Sequence, residues 1–230
     1  MSLLGPAAIA MWWDMAPAHR SEFEDWHSHE HFPERLGIPG FLRGSRWADA
    51  AGGDGFFVMY ELDAYETLSS PHYLARLNNP TPWSTKLMPH HSHMVRSLCR
   101  VLDSFGGGAA RAMLTLRLSP APGRADELRH HLRGVLGAIP QRPGITGGHL
   151  LRTDTPAIAP TQEQKIRGGA DAAADWVVLA GGYDTGALRA LMQAELGAQA
   201  LLAAGAAAPL QAGVYELRLA MTPADLSTPG

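Results

Sequence analysis

Short apolar runs alternate along this chain with stretches whose apolar residues recur at helical spacing, and the order of the two patterns is the same in both halves. In the first half the pattern predicts a strand over 8–13, a helix over 21–31, strands over 41–48 and 55–62, a helix over 70–77 and a strand over 93–102. In the second it predicts strand 111–118, helix 124–139, strands 147–152 and 176–181, helix 185–203 and strand 212–219. Ser21 with Glu24 three residues on reads as a capping box, and Ser70-Pro71 as a cap followed by an N1 proline. Pro33 disfavours helical geometry at Phe32, so the first helix is expected to break or kink just past His31.

The halves are a repeat. Pro39-Gly40 and Gly44 recur as Pro143-Gly144 and Gly148, and at a larger offset Phe57-Val58-Met59 matches Val177-Val178-Leu179. The larger offset places an insertion at 154–175, a long loop expected to be a mobile surface segment. The glycine run Gly106-Gly107-Gly108 is the hinge, giving a unit over 1–105 and a second over 106–230. A β-α-β-β-α-β order is the ferredoxin-like pattern, an antiparallel sheet with both helices on one face. The fold class is therefore α+β, with two tandem ferredoxin-like repeats packed sheet to sheet as a barrel, and a second copy of the chain compatible with it.

With 230 residues, 46% of them hydrophobic, the chain can bury a core without disulfides or a structural metal. A net charge of -3 without blocks of one sign argues against a nucleic-acid partner. The apolar start, 1–13, lacks a basic leader and ends at Asp14, too early for a membrane span, and is read as the first strand. Cys99 stands alone, as suits a reducing, cytoplasmic setting.

Histidines carry the candidate chemistry. On the first helix, Trp26, His27, Glu30 and His31 fall on one face, which should look inward, while His29 falls on the other side. His90, His91 and His93 open the last strand of the first half, at the end of the sheet where the helix also begins. Histidine and carboxylate on an aromatic-lined face suit general acid-base catalysis, with His27 and His31 moving protons and Glu30 orienting a ring. Trp26, Glu34, Arg35, Arg46, Tyr60, Trp83 and His93 are candidates for holding a substrate. His27 and His31 have the i, i+4 spacing of metal ligands, but no third ligand is fixed by spacing, so no metal site is assigned and a histidine-bound metal is the minor alternative. His130-His131 repeats the position of Trp26-His27 without partner acids, marking the second half as the structural copy.

At Glu22-Phe23-Glu24-Asp25-Trp26, Glu30-His31-Phe32-Pro33-Glu34-Arg35 and Ile38-Pro39-Gly40-Phe41-Leu42, the sequence resembles the EthD-like branch of the dimeric α+β barrel superfamily. Pro80-Thr81-Pro82-Trp83 looks like the same relatives. The resemblance spans roughly 21–93; the second half joins it only through the repeat. It implies a barrel with a pocket lined near His31, and site candidates Glu30, His31, Glu34 and Arg35. Relatives include cyclases, isomerases, dehydratases, metal-free monooxygenases and haem enzymes. The leading expectation is a cofactor-independent lyase, isomerase or dehydratase acting on an aromatic or apolar metabolite. A haem enzyme with a histidine axial ligand and a non-catalytic ligand-binding barrel are the rivals.

Overall fold

Along the first strand, β1 (Ala7–Asp14), alternation sends Ala8, Ala10 and Trp12 to one side and Ile9, Met11 and Trp13 to the other, and all six are buried. A strand buried on both sides needs cover on both. The computed structural model, which describes residues 3–156, 158–169 and 171–226, provides it by closing eight antiparallel strands into one barrel. After β1 come β2 (Phe41–Asp49), β3 (Gly55–Leu62), β4 (Ser92–Gly106), β5 (Ala112–Pro120), β6 (Ile145–Thr153), β7 (Trp176–Gly182) and β8 (Ala206–Met221). Their order around the barrel is β1-β3-β2-β8-β5-β7-β6-β4, so each half is a ferredoxin-like sheet and the halves join at β2–β8 and β4–β6.

The barrel interior is filled by side chains of both halves, among them Trp12, Trp47, Phe57, Met113, Leu151 and Leu179. Helices α1 (Pro17–Trp26), α2 (Phe32–Leu36), α3 (Pro71–Asn78) and α4 (Pro82–Leu87) belong to the first half. They cover its sheet over a core rich in aromatic side chains. In the second half α5 (Ala125–Ala138), α7 (Thr185–Gln193) and α8 (Ala198–Ala203) cover a mainly aliphatic core. A further helix, α6 (Gln162–Ile166), lies in the inserted segment between β6 and β7.

Several local expectations change. The first helix begins at Pro17, whose fixed φ suits position N1, so Ser21 and Glu24 lie inside the helix instead of capping it. Nor does Pro33 break it. One π-helical turn, His27–His31, absorbs the missing N–H: Phe32 N–H reaches five residues back to the His27 carbonyl, and α2 resumes with Pro33 in its first turn. Ser70 does cap α3, its hydroxyl accepting from the Tyr73 N–H. The helix expected over 185–203 is split in two before Gly197.

The inserted segment is the largest departure. Rather than standing free, it runs along β4, where the Arg96 N–H donates to the Ala172 carbonyl at 2.7 Å and the Asp154 N–H to the Leu98 carbonyl at 2.9 Å. It then packs α6 beside α3, with the Gln162 N–H donating to Asn78 Oδ1 at 3.2 Å. Thr161 caps α6 in a capping box with Gln164, and Thr161 and Glu163 are both buried. The second half thus reaches over the helix layer of the first.

Candidate functional site

Between the first-half helices and the sheet lies a pocket of about 460 Å³, its mouth included. His27, His31 and Arg35 stand one turn apart on the α1–α2 helix and supply one wall. Met11 and Trp13 of β1 form the floor, Tyr73 of α3 and Met88 and His91 after α4 close the sides, and Glu163 and Arg167 of the insertion form the roof. The π turn keeps His27 and His31 on the same side of the helix, their rings stacked 5.3 Å apart.

These histidines are 2% and 7% exposed, and Nδ1 of each is buried without a hydrogen-bond partner. So are Trp13 Nε1 and Arg35 Nη1, in the same pocket. Leaving a buried polar atom unpaired costs roughly 1–3 kcal/mol, so four around one cavity call for partners there, whether water or a ligand. The imidazoles are neutral. Burial depresses the basicity of His27 far below normal, aided by Arg46, His91 and Arg35; His31 is depressed by burial and then by Arg35. His91 is lowered to about 4, chiefly by burial, and its Nδ1–H donates to the Met88 carbonyl at 3.1 Å, which leaves Nε2 as the ring's acceptor.

Cations dominate the other end. Arg35, 3% exposed, is ion-paired with Glu163; burial opposes its charge, and Glu163, Tyr73 and Tyr60 outweigh that, holding it protonated. Arg96 donates to the Tyr73 hydroxyl at 2.6 Å, and Arg167 pairs with Asp171 at 2.7 Å. Three guanidiniums face two carboxylates, so the pocket carries one net positive charge beside neutral imidazoles.

Of the residues singled out from the sequence, Trp26, His27, His31 and Arg35 meet in this pocket. Glu30 does not orient a histidine. Its carboxylate accepts from Trp26 Nε1 at 3.0 Å and from the Thr81 hydroxyl at 2.5 Å, pinning α1 to the cap of α4, because Glu30 lies on the flank of the helix that meets α4. Glu34, half-buried, pairs with Arg76 at 3.1 Å outside the pocket. Arg46 approaches α1 from the sheet, its guanidinium 5.6 Å from the Phe23 ring and donating to the Glu24 carbonyl and Ser28 hydroxyl. Tyr60 is buried in the core against Phe32 and Phe41. The Trp83 indole donates to Glu22, and His93 is exposed beside Asp14; neither lines the pocket. His29 is exposed, as its position on the helix predicts. Among the described residues no cluster of three ligating side chains is arranged to hold a metal ion.

Sequence reasoning missed Glu163, Tyr73 and Arg96. Alternation in β1 could have found Met11 and Trp13, which lie opposite Trp12 on the side facing the helices. Nothing local marks Glu163, which reaches the site across 128 positions of sequence.

No family model and no curated protein matches this chain. Solved structures do. An anthrone oxidase-like protein superposes over 100% of this chain and 99% of its own, with a TM-score of 0.65 and 10% identity. The chain has the dimeric α+β barrel fold. Two more barrels of this kind are putative monooxygenases. That from Fusobacterium nucleatum gives a TM-score of 0.61 at 6% identity, covering 96% of each chain. That from Lactobacillus acidophilus gives 0.59 at 9%, covering 95% of this chain and 97% of its own. At such identities the likeness carries the dimeric α+β barrel and nothing finer, and it does not single out the EthD-like branch. In the second repeat of the barrel the layer matching the pocket is closed by Leu128, Leu132 and Leu136 of α5.

Proposed function

We propose that the protein is an enzyme that removes a proton from a small aromatic or otherwise apolar molecule, with His31 or its stacked neighbour His27 as the base. The observation that carries this is the pair of buried, neutral imidazoles whose Nδ1 atoms have no partner. A neutral ring accepts a proton where a charged one cannot, and guanidiniums next to it stabilise the anion left on the substrate. The proton passes from a substrate C–H or O–H to the imidazole nitrogen, and its electron pair stays on the substrate beside Arg35. Met11, Trp13, Trp26 and Met88 exclude water and match an apolar ring system.

An anion formed in this way can be reprotonated elsewhere, as in an isomerase, or expel a leaving group, as in a lyase. Solved structures of this fold named as a putative monooxygenase or anthrone oxidase-like protein suggest oxidation as a third fate. All three share the first step, and that step is what the site serves. The haem reading draws on the same neutral imidazoles, which could serve as an axial ligand. The space does not suit it. The pocket is roofed by α6, whose Glu163 pairs with Arg35 inside it, and a porphyrin would enter only if α6 left.

Solvent-hydrogen exchange tests the proposal without knowledge of the product. Aromatic ligands with a C–H flanked by a carbonyl are incubated in D₂O with the protein, and loss of that signal is followed by NMR. Wild-type protein should accelerate exchange, and His31→Leu or His27→Leu should lower it by about 10²-fold or more. Exchange at the buffer rate for every ligand that binds, or full exchange in both variants, would remove the histidines from the mechanism.

A further inference from the structure

The pocket is graded along the helix that builds it. Trp13 lies 6.0 Å from His27 and 5.0 Å from His91 at one end, and Trp26 lies 4.5 Å from His31 in the middle. One turn past His31, Arg35 faces Tyr73 and Glu163 at the other. Glu163 occupies only one arm of the Arg35 guanidinium, Nη2, while Nη1 is buried and has no partner. A buried N–H donor of a cation, left open at the end of a cavity with one net positive charge, is a receptor for a negatively charged oxygen.

We infer that the ligand of this site is an aromatic molecule carrying one anionic oxygen group, a carboxylate or phenolate, seated on Arg35 Nη1 with its rings toward Trp13 and Trp26. This rests on the proposed use of the pocket as a substrate site, and it names the substrate class. Binding in this sense places the middle of the molecule against His31. Arg167 and Arg96 add a positive field, though Asp171 and Tyr73 already take their hydrogen bonds. Glu163 then has a second task. By holding Nη2 it fixes the plane of the guanidinium and aims Nη1 at the cavity, so the inserted segment of the second half sets specificity in the first.

The test is equilibrium binding, read by isothermal titration calorimetry, with three probes: 2-naphthoate, its neutral isostere 2-naphthamide, and 2,4-dinitrophenolate. Wild-type protein should bind 2-naphthoate or the phenolate at least about tenfold more tightly than the amide, as expected for one charge-assisted hydrogen bond out of water. Which of the two anions wins tells carboxylate from phenolate. Because removing Arg35 alone strands a buried carboxylate, the variant is Arg35→Gln with Glu163→Gln, which keeps the local charge balanced. It should bind the amide as before and lose the preference for the anion. Equal binding of anion and amide by wild-type protein, or a preference that survives in the double variant, would overturn the inference. Preference for the anion without any catalysed proton exchange would uphold it and sink the proton-transfer reading, so the two can fail separately.

Discussion

His31 has given up its hydration without a hydrogen bond at Nδ1, and its ring is held neutral by burial and Arg35. Both features cost folding energy, and together they leave an unprotonated ring nitrogen free in the pocket. His31→Leu should therefore raise the melting temperature, by an amount corresponding to about 1–3 kcal/mol, while lowering exchange. The sign of the pH dependence follows from the depressed basicity. The unfolded chain protonates this residue below about pH 6.5, whereas the folded chain does so only at much lower pH. Acid therefore drains stability from the wild type as pH falls below about 6.5, and the Leu variant escapes that loss. Melting curves from pH 7.5 down to 5 should show its advantage widening; a constant or negative difference would mean that the ring has a structural partner. Removing Glu30 should act differently, by loosening α1 from α4, since its bonds go to Trp26 and Thr81.

At the scale of elements, the recurring Pro-Gly and glycine pattern has a backbone cause. Gly40 and Gly144 take φ of +95° and +85°, which lets each helix layer turn into its strand. Gly44 and Gly148 have ordinary φ and are small for another reason. A methyl on Gly148 would stand 2.9 Å from the Leu136 carbonyl oxygen of α5, and one on Gly44 would meet the Tyr60 ring at the same distance. At Gly148 helix and strand approach this closely only because a side chain is missing; at Gly44 the neighbour is a side chain of the adjacent strand β3. Gly148→Ala has backbone against it and should cost about 1–3 kcal/mol in denaturant melts. Gly44→Ala meets a ring that can move a little and should cost less; the reverse order would refute this account of the repeat.

At the scale of the whole molecule, the first repeat holds the pocket histidines while the second supplies the roof and part of the barrel filling. Trp12 of β1 donates to the Thr115 hydroxyl of β5 at 3.1 Å inside the barrel, and Trp47 and Phe57 pack there with Met113 and Leu179. Dividing the chain into units over 1–105 and 106–230 therefore describes its repeats, and we propose that neither is stable without the other. A protease site inserted at Gly108, which is exposed and has open space around it, separates the repeats covalently. After cleavage the pieces should co-elute and melt in one transition. Two independent transitions would show that each repeat folds alone.

Binary patterning and the repeat were enough to determine eight strands in two β-α-β-β-α-β units, because alternation and helical spacing are local and survive without knowledge of neighbours. Helical spacing likewise determined that Trp26, His27 and His31 share a buried face and that His29 does not. Trp83 and His93 were misplaced because flanking segments carry no periodicity, and Tyr60 because strand alternation gives a side of the sheet without saying whether a cavity lies there. Glu30 was assigned to the histidines on proximity in sequence, which is not contact: its carboxylate is taken up by Trp26 and Thr81. Only the tertiary structure decided that the insertion folds over the site, that Glu163 meets Arg35, and that arginines rather than a carboxylate set the charge around the rings. Burial and through-space charge depend on residues brought together from both repeats, and no window of sequence contains them.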